Sequence, residues 1–253
     1  MTPPASSAKP FRVALMVPCY VDEFYPAAAD AARRVLERHG CEVVVPKDQT
    51  CCGQPMLNSG FAKQAAPAAK HCCKVFAGYD YVVCPSGSCT AMIREHYHDL
   101  WLDDAEIPKV YEFCEFLHDV LGVTAIDASF PHRVGIHQGC HGLRELRLAQ
   151  PSESFGCTPD KTRALLSLVR DIEIVGLDRT DECCGFGGLF AISEEAVSVG
   201  MGRDRVATHE RACAEVIVSG DMSCLMHLEG IIRREKRPLR VAHVAQILAG
   251  DAV

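Results

Sequence analysis

A chain of 253 residues with 48% hydrophobic and 23% charged residues has the material for a sizeable core and a solvated surface. Its formal net charge of −7 argues against nucleic-acid binding, and its longest basic block, Arg233-Arg234-Glu235-Lys236-Arg237, reads as a solvated helix end. No apolar run approaches the roughly 18–20 residues of a membrane-spanning helix.

Residues 1–10 lack the basic-then-apolar signature of an export signal and read as a disordered lead-in. Phe11 to Val17 is a short apolar run that ends at Pro18-Cys19 and predicts a buried strand. Asp22 to His39 carries Phe24, Ala28, Ala31, Ala32, Val35 and Leu36 at helical spacing, with Gly40 as the stop. Cys41 to Val45 is a second strand and leads to Cys51-Cys52-Gly53. A helix is expected over Gly60 to Ala77, then a strand over Tyr79 to Val83 before Cys89. Val110 to Leu117 reads as a strand turning into a helix.

The series then repeats. His132 to His137 is a strand ending at Gln138-Gly139-Cys140. A helix at Lys161 to Val169 and a strand at Ile172 to Val175 lead to Cys183-Cys184-Gly185. A helix over Ser193 to Ala212 and a strand at Ala214 to Val218 precede Cys224, and Val241 to Leu248 is the second strand-into-helix. Strands alternating with helices predict parallel sheets. The expected fold is therefore α/β, with two pseudo-symmetric Rossmann-like domains produced by an internal duplication. The domains are placed at 11–125 and 131–253, with the boundary in Gly122 to Phe130.

The duplication brings one cysteine pattern twice: Cys19, Cys51, Cys52 and Cys89, then Cys140, Cys183, Cys184 and Cys224. Parallel strands deliver their C-terminal ends to one edge, where open α/β folds bind ligands. Distant cysteines can thus meet there. Fifteen cysteines in a chain without an export signal fit metal or redox chemistry in a reducing cytosol better than disulfides. Soft thiolates in fours are what iron–sulfur clusters require. Structural zinc is the rival reading, as a redox-sensing interaction module. Zinc sites usually show a local cysteine pair, and only Cys84 and Cys89 come near one. Gly53 and Gly185 give the backbone the bend that two adjacent ligands need. A helix starting just after each pair would favour the thiolates through its dipole. The remaining cysteines, Cys41, Cys72, Cys73, Cys114, Cys157 and Cys213, are expected to be buried packing residues. His137, His141 and His227 near the quartets read as packing or outer hydrogen-bonding groups.

These residues resemble the cysteine-rich CCG-domain iron–sulfur proteins, which include iron–sulfur subunits of glycolate oxidase and anaerobic glycerol-3-phosphate dehydrogenase and the cysteine-rich subunit of heterodisulfide reductase. Within the group the chain is most similar to the lactate utilization protein A family. The similarity rests on Pro85-Ser86-Gly87-Ser88-Cys89, His137-Gln138-Gly139-Cys140-His141 with Leu143-Arg144-Glu145-Leu146, Glu182-Cys183-Cys184-Gly185-Phe186-Gly187-Gly188 and Asp221-Met222-Ser223-Cys224-Leu225-Met226-His227. It implies a cytoplasmic electron-transfer subunit of an L-lactate-oxidising system, inactive alone. It also implies one or two [4Fe–4S] clusters on the eight cysteines, and two partner proteins, one of ferredoxin type. The alternative is a subunit of a related 2-hydroxyacid, glycerol-phosphate or heterodisulfide oxidoreductase. The broader family ends each motif with a C-x-x-C pair; here Ser86 and Asp221 replace the first thiol. Cys84 is a possible substitute in the first half. A second mechanism would open an iron position to substrate beside Ser86, Asp221 and His227.

Overall fold

Each half opens with an apolar strand whose alternate side chains face opposite layers, and that alternation organises the core. The computed structural model describes residues 11–253, so the lead-in expected over 1–10 lies outside the described residues. In the first half, β1 (Phe11–Leu15), β2 (Cys41–Val44), β3 (Tyr81–Cys84) and β4 (Val110–Glu112) form an all-parallel sheet in the order β2-β1-β3-β4. In the second, β5 (Arg133–Ile136), β6 (Glu173–Ile174), β7 (Val216–Ser219) and β8 (Arg240–His243) repeat it as β6-β5-β7-β8. Both sheets are the Rossmann-like pair expected from the sequence, related by pseudo-symmetry.

The helices connecting the strands differ in detail from expectation. The helix expected from Asp22 to His39 is two, α1 (Cys19–Phe24) and α2 (Pro26–Arg38). Pro26 has no amide hydrogen to continue a helix and starts a new one instead, with Tyr25 between them at φ −137°, ψ 48°. After α3 (Gln54–Asn58) come α4 (Ala62–Phe76) and α5 (Gly87–His96), then the short α6 (Phe113–Glu115). The second half has α7 (Lys161–Leu166), α8 (Phe190–Ser193), α9 (Glu195–Arg211), α10 (Met222–Glu235) and α11 (Val244–Ala249). Helices α5 and α10, which follow β3 and β7, were not expected from periodicity.

The two sheets share a core. Val13 and Leu15 of β1, Val134 and Ile136 of β5, and Val216 and Val218 of β7 belong to one buried apolar cluster with α2 and α11. Ala14, Met16 and Val82 face away from it, into a separate layer under α4 and α5; Ile217 faces a third layer under α10. Helix α11 of the second half lies against α2 of the first. Arg38 Nη1 donates to the Ala249 carbonyl at 2.8 Å, and Arg34 pairs with Asp251 at 2.7 Å. Among the described residues no helix is long and apolar enough to cross a membrane.

Candidate metal centre

Every strand that leads to a cysteine ends at the same rim. Cys19 opens α1 just beyond β1, Cys51 and Cys52 lie on the loop after β2, and Cys89 sits in the first turn of α5 after β3. The second half repeats this with Cys140 beyond β5, Cys183 and Cys184 after β6, and Cys224 in the first turn of α10. Parallel strands put all these positions on one edge, and the halves turn those edges toward each other.

Within each half the four thiols form a continuous chain of contacts. Cys19 Sγ lies 3.8 Å from Cys51 Sγ, and Cys52 sits between Cys51 and Cys89, close enough for each to influence its ionisation. In the second half Cys140 meets Cys183, Cys183 meets Cys184, and Cys184 meets Cys224. All eight line a single cleft between the halves, with about 110 Å³ of free space, bordered by Tyr20, Phe186 and Met222. Phe186 crosses to Tyr20 edge-on, with ring centroids 5.8 Å apart.

The adjacent cysteines depend on the glycine that follows. Gly53 has φ +90° and Gly185 φ +89°, a region L-residues rarely adopt. A side chain at Gly185 would also sit 2.6 Å from the Ser198 carbonyl oxygen. The bend turns amides onto sulfur: Gly53 N–H lies 3.5 Å from Cys51 Sγ, Gly185 N–H 3.4 Å from Cys183 Sγ, and Phe186 N–H 3.4 Å from Cys184 Sγ. A helix does start directly after the first pair, at Gln54. After the second pair the chain turns through Gly187 and Gly188 before α8, so the expected symmetry of helix starts fails there. The helices that present their N-termini to sulfur are instead α5 and α10.

These surroundings polarise the thiols. Donation from Cys19 and Cys52, helped by the Gly53 amide, holds Cys51 far below the usual thiol range. Cys183 is lowered in the same way by Cys140, Cys184 and the Gly185 amide. Cys89 is lowered by Cys52 and Cys84. The partners Cys19 and Cys140 are pushed up, first by donating to those thiolates and then by burial. One thiolate next to another penalises the second charge, which a bound cation would relieve.

Ser86 and Asp221 cap the helices that carry Cys89 and Cys224. Ser86 Oγ accepts from the Cys89 amide at 3.3 Å, and Asp221 Oδ1 from the Ser223 amide at 3.1 Å. The two residues also meet across the cleft. Asp221 Oδ2 accepts from the Ser88 amide at 2.7 Å and from the Ser86 hydroxyl at 3.3 Å. Both carboxylate oxygens are therefore engaged by protein donors. The eight sulfurs dominate the donors at the cleft, with the His141 ring beside them, its Nδ1 3.6 Å from Cys140 Sγ, and the set fits a thiolate-liganded metal centre.

Other sequence candidates fall elsewhere. Cys84, at the end of β3, is fully buried behind Cys89, and its thiol is raised mainly by burial; it does not line the cleft. His227 also lies off the cleft, with Nε2 against the Ser198 carbonyl at 3.2 Å and its ring behind Phe186. The grouping of His227 with Ser86 and Asp221 in one pocket is thus corrected, because its place on α10 turns it toward α9. Cys41, Cys72, Cys73 and Cys114 are buried as expected, whereas Cys157 and Cys213 are exposed, on a loop and at a helix end. His137 does reach the second quartet: a ring nitrogen and the sulfurs of Cys184 and Cys224 lie within 4.8 Å of one another. Burial, with the Arg205 charge beside it, pushes His137 down to about 3. Arg205, on α9 and fully buried, has no signal in the cysteine pattern and was not foreseen.

Comparison with known proteins agrees with this architecture. Residues 13–94 and 134–229 match the family described as CCG, cysteine-rich domain, once for each half. The chain is 39% identical over 245 residues to lactate utilization protein A of Shouchella clausii, covering 94% of this chain and 98% of that one. It is 38% identical to lactate utilization protein A of Geobacillus kaustophilus with the same coverage of both chains. A crystal structure of a hypothetical protein from Helicobacter pylori shares the fold at a TM-score of 0.58 and 10% identity. It matches 95% of this chain and 49% of that longer one. With both halves matched and relatives aligned almost end to end, the chain belongs to the CCG cysteine-rich-domain family, in the group of the lactate utilization protein A proteins.

Proposed function

We propose that this protein is the iron–sulfur electron-transfer component of a multi-protein system that oxidises L-lactate to pyruvate. It acts in the cytoplasm with two partner proteins, one of ferredoxin type. The observation that carries the reading is the convergence of two complete sulfur quartets on one cleft, in a chain whose relatives are named for lactate utilization. The two CCG units are residues 11–125 and 131–253. Cys19, Cys51, Cys52 and Cys89 would hold one [4Fe–4S] cluster; Cys140, Cys183, Cys184 and Cys224 would hold a second. Cys84 stays out of the ligand set, since it is fully buried and does not line the cleft.

Such a cluster supplies one-electron transfer, whereas lactate oxidation releases two electrons. The residues of this chain hold the ligands and limit solvent. Tyr20, Phe186 and Met222 border the cleft with apolar surface, and the amides of Gly53, Gly185 and Phe186 stabilise negative charge on sulfur. The described residues show no dinucleotide loop of the G-x-G-x-x-G type, so the two-electron step falls to a partner.

Anaerobic purification with metal, sulfide and Mössbauer analysis tests the reading. Iron and acid-labile sulfide in near-equal amounts are expected; zinc without sulfide would overturn it. Cys89→Ala and Cys224→Ala should each lose about half of the iron, as four thiolates serve each cluster, while Cys84→Ala should keep it. Reconstituted protein should leave L-lactate untouched alone and be reduced by it once both partners are added. Turnover by the chain alone would sink the relay.

A further inference from the structure

His137 differs from every other group around the two quartets. It directly follows β5, is 1% exposed, and its Nε2 has no hydrogen-bond partner among the described residues. A buried ring nitrogen without a partner is costly unless something unseen takes it up. A ring nitrogen of His137 lies within 4.8 Å of the sulfurs of Cys184 and Cys224, so those thiols stand beside this ring.

The other nitrogen decides what His137 can do there. Arg205 Nε donates to His137 Nδ1 at 3.0 Å. The rest of that guanidinium is fixed on the carbonyls of Arg179 at 2.5 Å, Thr180 at 3.2 Å and Ile136 at 3.4 Å. A guanidinium has donors only. Nδ1 must therefore accept, which places the single ring proton on Nε2. A histidine that ligates metal through Nε2 needs the opposite arrangement, with Nδ1–H donating to a carbonyl or carboxylate. Here a ligating tautomer would point Nδ1–H at the Arg205 N–H.

The first quartet lacks this device. Met16 N–H bonds the Val83 carbonyl at 2.9 Å, as His137 N–H bonds the Val218 carbonyl at 2.7 Å. Each stands three residues before its cysteine, Cys19 or Cys140. The pseudo-symmetric counterpart of His137 is therefore a buried thioether with no N–H to offer.

We infer that His137, locked in its Nε2–H tautomer by Arg205, donates a hydrogen bond to the Cys184 and Cys224 thiolates and raises the reduction potential of the second site alone. The inference rests on the reading that this quartet holds an iron–sulfur cluster. One-electron reduction adds a negative charge that spreads onto the ligand sulfurs, with no bond made or broken and no proton moved. An N–H aimed at those sulfurs favours the reduced form. His137 is thus a positioning residue acting through Cys184 and Cys224, and it makes two sites of common origin electronically unequal.

Full-length protein, purified anaerobically, is titrated with dithionite and mediators under paramagnetic-resonance detection, as wild type and His137→Met. The expected result is full iron content in the variant, one potential moved negative and the other unchanged. Unmoved potentials would overturn the inference, and so would loss of half the iron, which would make His137 a ligand. Nitrogen-15 NMR of the side chain in metal-free wild-type protein reads the tautomer without any variant. Nε2–H is expected, and Nδ1–H would overturn the inference by itself. Absence of iron and sulfide from the anaerobic protein would instead bring down the functional reading, a failure the NMR result keeps separate.

Discussion

Ser86 and Asp221 show how a residue beside a thiol can serve the structure that holds it. Serine and aspartate are among the best N-cap residues because a short side-chain oxygen reaches the free amides of the first turn. Ser86 does this for α5 and Asp221 for α10, and those first turns hold Cys89 and Cys224. Asp221 also spans the two halves by accepting from the Ser88 amide. The close approach has its own requirement at Gly87, where a side chain would sit 3.2 Å from the Gly142 backbone. Ser86→Ala should cost about 1 kcal/mol, the usual worth of a cap. Asp221→Ala should cost about 2–3 kcal/mol, because it also strands the buried Ser88 amide. Urea denaturation of the two variants measures the difference. Equal losses would mean the bond across the halves adds no stability.

At the level of elements, the ends of β4 and β8 occupy equivalent places and carry opposite chemistry. Glu112 caps the turn after β4 in a reciprocal pair with Glu115, and His243 caps α11 with Gln246. His243 Nε2 also meets the Pro85 carbonyl of the other half at 3.2 Å. Both are almost fully buried. Burial, foremost, pushes Glu112 up to about 8 from 4.5, and burial pulls His243 down to about 4 from 6.5. For Glu112 the folded chain keeps a proton that the unfolded chain has released between pH 4.5 and 8. Stability therefore falls as pH rises through that window. For His243 the unfolded chain takes up a proton between pH 6.5 and 4 that the folded chain refuses, so stability falls as pH drops. The two slopes oppose each other in mildly acid solution, and of these two groups only Glu112 acts above pH 6.5. Glu112→Gln should gain on wild type by roughly 2 kcal/mol between pH 6.5 and 8, at most about 1.4 kcal/mol per pH unit. Denaturation midpoints across that range give the comparison. A constant gap between the two proteins would show that Glu112 ionises normally when folded.

Taken as a whole, the molecule is duplicated but not divisible into two independent cores. Strands β1, β5 and β7 contribute to one apolar cluster, and α11 rests on α2 of the opposite half. Residues 11–125 alone would lose the second-half members of this cluster, among them Val134, Ile136, Val216, Val218, Ile247 and Leu248. Burying such a side chain is worth about 1.5–3 kcal/mol, and several are involved. Each half expressed separately should therefore lack a cooperative unfolding transition, and the intact chain should show a single one. Circular dichroism and calorimetry on the three proteins distinguish the cases; two resolved transitions in the intact chain would contradict the shared core.

The strands along the chain, the duplication and the repeated cysteine pattern were legible in the linear sequence because each is a local signal. A buried parallel strand is a short β-branched run, and a doubled motif declares itself by spacing. Helix α5 was less legible because Gly87 to Ile93 are buried all round, whereas the stripe of Leu225, Leu228, Ile231 and Ile232 in α10 was there to be read. The break at Tyr25-Pro26 could have been read from proline chemistry alone. What only tertiary structure decided is how the halves face each other. It merged two sets of thiols into one cleft, sent His227 away from it, joined Asp221 to Ser88, and set Arg205 behind His137 from 68 positions along the chain. Those pairings depend on packing between distant segments. Pattern and propensity, which act within a few residues, carry no record of it.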